Sequence, residues 1–274
     1  MTKTERRRAF NKAIKQALAD KSNLLTLGER RILELLTLAI SQITDILTNQ
    51  PSDYQQWFLP QIEQQIYPLL NNFALNASAV FKEVADNAAL AGIAMFDSPL
   101  IASGVQMLGI TPLIIPEQVA AIATFGGSRI SDISQKARLL INSELSLTLI
   151  GTQTSYQAVQ HISGHLNSTP VHRVKTIVKT EISRAYAVAS EQRFSQLASL
   201  FPDLKKQWHK SGKFHPRESH VAANKQIVAH NKNFNIGGVK MRYPHDHKAP
   251  AKDVINCGCT MTPYLEDWQN LPTA

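Results

Sequence analysis

The chain has 274 residues, 43% apolar and 18% charged, with a net charge of +8 and a pI of about 9.5. This composition excludes wholesale disorder and a small disulfide-stapled scaffold, and the length suits one large domain or two modest ones. The basic balance favours polyanionic partners.

The charge is unevenly spread. Residues 1–31 carry nine basic and three acidic side chains, residues 32–129 two and eight, residues 130–170 balance, and residues 171–274 carry sixteen and eight. This pattern predicts three regions: a basic helical arm (1–31), a helical body (32–150) and a basic C-terminal module (151–274). The arm reads equally as a solvated first helix, with Phe10, Ile14, Ala17 and Leu18 at helical spacing, or as a polyanion-binding segment. Its charged start contains no apolar signal-peptide core.

In the body, Thr26 and Glu29 form a capping-box pattern ahead of Leu33, Leu36, Ile40, Ile43 and Leu47, which share one helical face. Pro51 is expected to stop that helix and Ser52 with Gln55 to start the next, with interruptions at Pro60 and Pro68. Asn76 to Phe96 continues helical. Residues 98–116 are uncharged, but Pro99, Gly104, Gly109, Pro112 and Pro116 break them. They read as a buried loop with short helix, because about 20 unbroken residues are needed to span a bilayer. Pro116 opens a helix that Gly126 and Gly127 are expected to end. Further helices are expected over 131–150, closed by Gly151, and over 155–166.

Thr169 as cap and Pro170 at the first helical position open a helix whose buried stripe is Val174, Ile177, Val178, Ile182 and Ala185. Glu181 and Arg184 stand three apart on it, read either as an exposed ion pair worth a few tenths of a kcal/mol or as a catalytic carboxylate with its partner. Past Leu200, glycines and prolines punctuate short strand-like runs around residues 206–210, 226–230, 239–243 and 254–264. The expected class is therefore α+β: a mainly helical body and a small module with short strands.

Six of the nine histidines fall at His209, His215, His220, His230, His245 and His247, just ahead of Cys257 and Cys259. Imidazoles and thiolates gathered this way suit a structural zinc site. The Cys-x-Cys spacing is tighter than a zinc-finger knuckle, and Asn256 and Gly258 fit a tight turn equally well. The hypothesis is that His220 folds onto that turn so that His220, Cys257 and Cys259 converge, with His215, His245 or His247 as a fourth ligand. A cysteine–histidine nucleophile from the same residues is the enzymatic alternative. Sequence signatures of serine hydrolases, P-loops, zincins and zinc deaminases are missing.

The order of several short motifs is distinctive. A glycine turn into a short helix is formed by Gly151 and Ser155 to Ala158. Lys179-Thr180-Glu181 with Arg184 follows, then Lys206-Gln207-Trp208, Arg217-Glu218-Ser219-His220, Phe234 with Gly237-Gly238, Tyr243-Pro244, and Asn256-Cys257-Gly258-Cys259 with Pro263. The stretch from about Ile150 to Tyr264 thereby resembles the head-morphogenesis family of tailed bacteriophages, the Mu protein F-like minor head proteins. Lys179 replaces the family's usual Arg, and His215 stands near where many members carry Asp.

The resemblance implies a structural protein without catalysis, located in the virion at the capsid interior or portal vertex, and in the host cytoplasm during assembly. It implies portal, capsid and scaffold proteins as partners, and packaged double-stranded DNA, with a possible part in DNA ejection. The basic module supplies Lys205, Lys206, Lys210, Lys213 and Arg217 as expected phosphate contacts, without sequence preference. An acidic protein partner is the alternative for that face. The rival classes are a metal-dependent or histidine-based nuclease, toxin-like in type, and a zinc-stabilised nucleic-acid-binding module. No membrane role is expected.

Overall fold

The computed structural model describes residues 1–50, 59–107, 109–112 and 116–266. Three long helices come first: α1 (Lys3–Thr48), α2 (Leu59–Ala102) and α3 (Pro116–Leu149). Then follow α4 (Ser155–Leu166), α5 (Thr169–Ile177), a π-helical turn at Val178–Ile182, and α6 (Ser183–Leu200). The remainder holds β1 (Leu204–His209), α7 (Glu218–Ala222), β2 (Ile227–Val228), β3 (Phe234–Ile236), β4 (Val239–Met241), α8 (Ala251–Val254) and β5 (Thr260–Leu265). The arrangement is α+β, as expected.

The long helices run through most of the breaks expected in them. Thr26 lies inside α1, where its hydroxyl donates to the Ser22 carbonyl at 3.0 Å. A capping pattern preceded by an unbroken run of helix formers has no free N–H groups to cap, so it does not start a helix. Pro60 sits in the first turn of α2, where a missing N–H is harmless. Pro68 is inside the same helix, between the buried Ile66 and Leu70, whose packing outweighs the lost hydrogen bond. Gly126 and Gly127 lie within α3, where Gly126 serves close packing. Thr169 is the first residue of α5, and the cap position falls to Ser168, which makes no side-chain cap bond. The turn expected at Pro51, Ser52 and Gln55 lies outside the described residues, as do 108 and 113–115 of the uncharged segment. Among the described residues no helix is long and apolar enough to cross a membrane.

Two compact units emerge, and neither is continuous in sequence. The first comprises Met1–Thr26, Val84–Ala123 and Lys179–Ala274, and the second Leu27–Glu83 and Thr124–Val178. These limits differ from the boundaries expected at 31/32 and 150/151, because charge changes along the chain while packing follows helix faces.

In the second unit, buried residues recur every three or four positions. Ile32, Leu36, Ile43 and Leu47 come from α1, Ile62, Ile66, Phe73, Ala77 and Phe81 from α2, and Ile130, Ile133, Ala137, Ile141 and Leu145 from α3. That spacing presents one apolar stripe per helix to a shared core. A Cβ on Gly126 would lie 2.2 Å from the Phe81 ring, so the glycine sets how closely these helices approach.

In the first unit, β1 is the centre of an antiparallel sheet ordered β2-β1-β5, and β3 and β4 form a separate hairpin. Gly237 and Gly238, at φ +58° and +90°, make the two-residue turn of that hairpin. Strand alternation buries Leu204, Lys206 and Trp208 on one face of β1. Pro263 is tolerated because β5 is an edge strand. On α2, Gly92 lets α6 approach so closely that a Cβ there would fall 2.3 Å from the Tyr186 carbonyl, and Ser190 donates to the Gly92 carbonyl at 2.9 Å.

Adjacent glycines on α3 should respond in opposite directions. Gly126→Ala should lower unfolding free energy by about 1–3 kcal/mol through overpacking against Phe81. Gly127→Ala meets only ordinary contact with Ser78 at 3.5 Å. It should be neutral or stabilising by up to about 1 kcal/mol, the helix-propensity gain. Denaturant melts of the two variants check this.

Candidate metal centre

The site is assembled from two short elements of the first unit. His220 lies in the last turn of α7 and is buried. After α8 the chain passes through Asn256, whose φ of +55° is the left-handed conformation that Asn accepts more readily than most residues. The Asn256 N–H donates to the Thr180 hydroxyl at 3.0 Å, and the Cys257 N–H to the Val254 carbonyl at 3.1 Å. These two bonds hold the turn that presents both sulfurs. A Cβ on Gly258 would lie 2.7 Å from that of Ser211, so the turn packs tightly against the neighbouring loop.

The three side chains converge. His220 Nδ1 is 3.4 Å from Cys259 Sγ and 3.6 Å from Cys257 Sγ, and the Cys259 N–H donates to Cys257 Sγ at 3.4 Å. All three ligand atoms lie within 4.8 Å of one another, and all three residues are buried. The other ring nitrogen, Nε2, faces Asp253 Oδ1 at 3.8 Å. Trp208 stands edge-on to the imidazole, with ring centroids 5.8 Å apart, and stacks edge-on to Phe234 in turn. One nitrogen faces two sulfurs, and the other lies 3.8 Å from a carboxylate oxygen, too far for a hydrogen bond but placed where an orienting partner of a ligating histidine would stand.

The electrostatics favour the anionic sulfur. The Cys259 thiol is lowered to about 7 by hydrogen bonding with Cys257, against burial, with help from the Ser211 backbone and Lys21. Lys21 comes from α1, is buried, and donates to the Cys259 carbonyl at 3.1 Å and the Thr260 hydroxyl at 2.7 Å. Burial pushes its ammonium down to about 8, while the two cysteines oppose the shift. His245 is fully buried beside the Cys257 sulfur at φ +68°. Burial lowers its pKa, and the neighbouring Cys257 sulfur opposes that shift. His245 is not one of the three mutually close ligands.

The remaining sequence-predicted residues divide sharply. His215 is exposed, lies against Phe214, and lines a cavity of about 250 Å³ together with His220, Cys257 and Cys259. Lys213 donates to the Asn256 carbonyl and Arg217 to the Ile255 carbonyl, so both cations are tied to the cysteine turn. Lys210 is half-buried, and Lys205 pairs with Glu266 at 2.6 Å.

Lys206 is the correction. It is 1% exposed and donates to the Arg242 carbonyl at 2.8 Å and to Glu191 at 3.3 Å. Strand alternation turns it inward, so it has no phosphate to meet. Burial lowers its pKa and raises that of Glu191, each opposed by the other's charge.

Glu181 is not an exposed partner either: it is fully buried, bonded to Arg184, and lies within the π turn. Such turns concentrate at sites under functional constraint. Its neighbour Thr180 is the residue that anchors Asn256.

Two participants escaped sequence reasoning, and a third was named only as one of several candidates. Asp253 carries no motif signal beyond standing four residues before Cys257. Lys21 is separated from its acceptors by more than 200 residues. His245 was one of three equivalent histidines until its burial singled it out.

Compared with known proteins, the chain matches no family model and no solved structure. It is similar to the uncharacterized protein YqbB of Bacillus subtilis (strain 168), 28% identical over 98 residues. The match covers 34% of this chain and 31% of that relative's length.

The buried Lys206–Glu191 contact gives a direct test of placement. Lys206→Met should destabilise the protein by about 3 kcal/mol, since it leaves the buried Glu191 carboxylate with only the Arg242 guanidinium as partner. An equilibrium urea melt of the variant measures it.

Proposed function

We propose that the chain is a structural minor head protein of a tailed bacteriophage, whose C-terminal module is clasped by one zinc ion and binds packaged DNA without sequence preference. One observation carries the reading. The motif pieces that resemble the Mu protein F-like family, dispersed from Thr180 to Cys259, meet at a single buried centre: Thr180 bonds Asn256, Trp208 walls His220, and His220 faces both cysteines. Such motifs serve a fold-closing role when their side chains point at one another, as these do.

Zinc suits the donor set. Two thiolates and an imidazole are borderline-soft ligands that neutralise the ion, and Asp253 stands 3.8 Å behind His220, where it would orient the ring once the metal draws it in. Bound there, zinc supplies a cross-link between α7 and the turn before β5.

A thiol enzyme is the second reading, since Cys259, His220 and Asp253 follow one another in the order of a nucleophile triad. Against it, both sulfurs share one ring nitrogen, an arrangement that serves an ion better than a single nucleophile.

Metal analysis of the purified full chain should find about one zinc per chain. Asp253→Asn should weaken zinc affinity by about 10–100-fold, the usual effect of losing an orienting partner. His220→Ala should release the metal and lower the melting temperature. A metal-free protein whose Cys259 is rapidly alkylated would overturn the clasp.

The assembly reading is tested by co-producing the protein with portal and major capsid proteins from the same genome. Co-sedimentation with heads is expected, and recovery only in the particle-free fraction refutes it. DNA binding rests on Lys205, Lys210, Lys213 and Arg217. About four phosphate contacts predict that log K falls with log salt at a slope of about −4. Affinity unchanged between low and moderate salt would rule that contact set out.

A further inference from the structure

A zinc site that only holds a fold is closed by four protein ligands, whereas three ligands leave a position for something else. Here the mutually close group contains three, and no fourth His, Cys, Asp or Glu joins it among the described residues. Asp253 is turned to the far nitrogen of His220. On another side the same three side chains form part of the wall of the 250 Å³ cavity, whose other lining includes Ser211, Lys213, His215 and Arg217.

The cations of that cavity are held in place. Lys213 and Arg217 each spend one donor on a carbonyl of the cysteine turn, Asn256 and Ile255 respectively. An ammonium has three donors and a guanidinium five, so both retain donors for a guest. Zinc with two thiolates carries no net charge, so the field in the cavity is set by these two cations, and it is positive. Their spacing around one metal-facing opening suits a group with several negative oxygens.

We propose that the fourth position of the zinc opens into this cavity and takes a phosphate oxygen, with Lys213 and Arg217 binding the remaining oxygens of the same group. The proposal rests on the zinc reading above and adds that the clasp is also a phosphate site. Inorganic phosphate and a terminal phosphate of DNA share this chemistry, and the test separates them.

The test uses the full chain loaded with Co²⁺ in place of zinc. A thiolate-to-cobalt charge-transfer band reports that Cys257 and Cys259 hold the metal. The visible ligand-field bands report the fourth ligand. Titration with inorganic phosphate should shift the visible bands saturably and leave the charge-transfer band in place. Lys213→Gln and Arg217→Gln should each weaken the apparent phosphate affinity by about tenfold, the usual loss for one charge-assisted hydrogen bond. Lys213 is exposed, so its variant remains informative even if the Arg217 variant misfolds.

A duplex carrying 5′-phosphates that shifts the bands where an unphosphorylated duplex does not identifies DNA ends as the source. A response to inorganic phosphate alone identifies the free ion, and both results support the site. Visible bands that ignore both phosphate sources, but change in His245→Ala or His215→Ala, show a closed site with that histidine as fourth ligand and overturn the proposal. Lack of the charge-transfer band refutes the zinc reading itself, a failure distinct from the previous one.

Discussion

The hydrogen bond from the Asn256 N–H to the Thr180 hydroxyl is the contact on which the centre depends. It ties a turn near the end of the chain to the π turn ahead of α6. It works together with the Cys257 N–H bond to the Val254 carbonyl at the end of α8 to fix where the two sulfurs point. The left-handed residue, the tight Gly258–Ser211 approach and the buried Thr180 are then one requirement seen from three sides.

Around that contact the first unit places an unusual amount of buried charge and polarity. Glu181, Glu191, Lys206, Lys21, Asp253 and His245 are all buried. Pairing limits the penalty: Glu181 with Arg184, Glu191 with Lys206 and Arg242, Lys21 with oxygen acceptors. Replacing such pairs by apolar residues often stabilises a protein, so their presence argues for a specified geometry more than for stability. The second unit shows the contrast. Its core is aliphatic stripes on regular helices, and its ion pairs, such as Arg31 with Glu83, lie outside it.

What could be read from the sequence follows the reach of each interaction. Helical faces were legible because their period is local: Leu36, Ile43 and Leu47, and the stripe from Val174 to Ala185, are buried as spaced. The convergence of His220 with the cysteine turn was legible because motifs concentrated the relevant donors. Helix ends were less so. The Thr26–Glu29 pattern and the Gly126–Gly127 pair carry local signals for termini, yet both lie inside helices because packing against residues far away decides the outcome. Lys206 was misread for a related reason, since only strand pairing reveals which of two adjacent lysines faces inward. Lys21 and Asp253 left no trace, because neither belongs to a recognisable spacing.

The anchoring of Lys21 also bears on how the polypeptide comes into being. Residue 21 leaves the ribosome early, yet its acceptors at Cys259 and Thr260 are synthesised more than two hundred residues later. The first unit is stitched from three separated stretches, so it cannot settle domain by domain during translation. Lys21 on α1 must wait for its acceptors until the segment leading into β5 has been made. Maturation of this centre therefore depends on contacts of high sequence separation, and is slow by that measure.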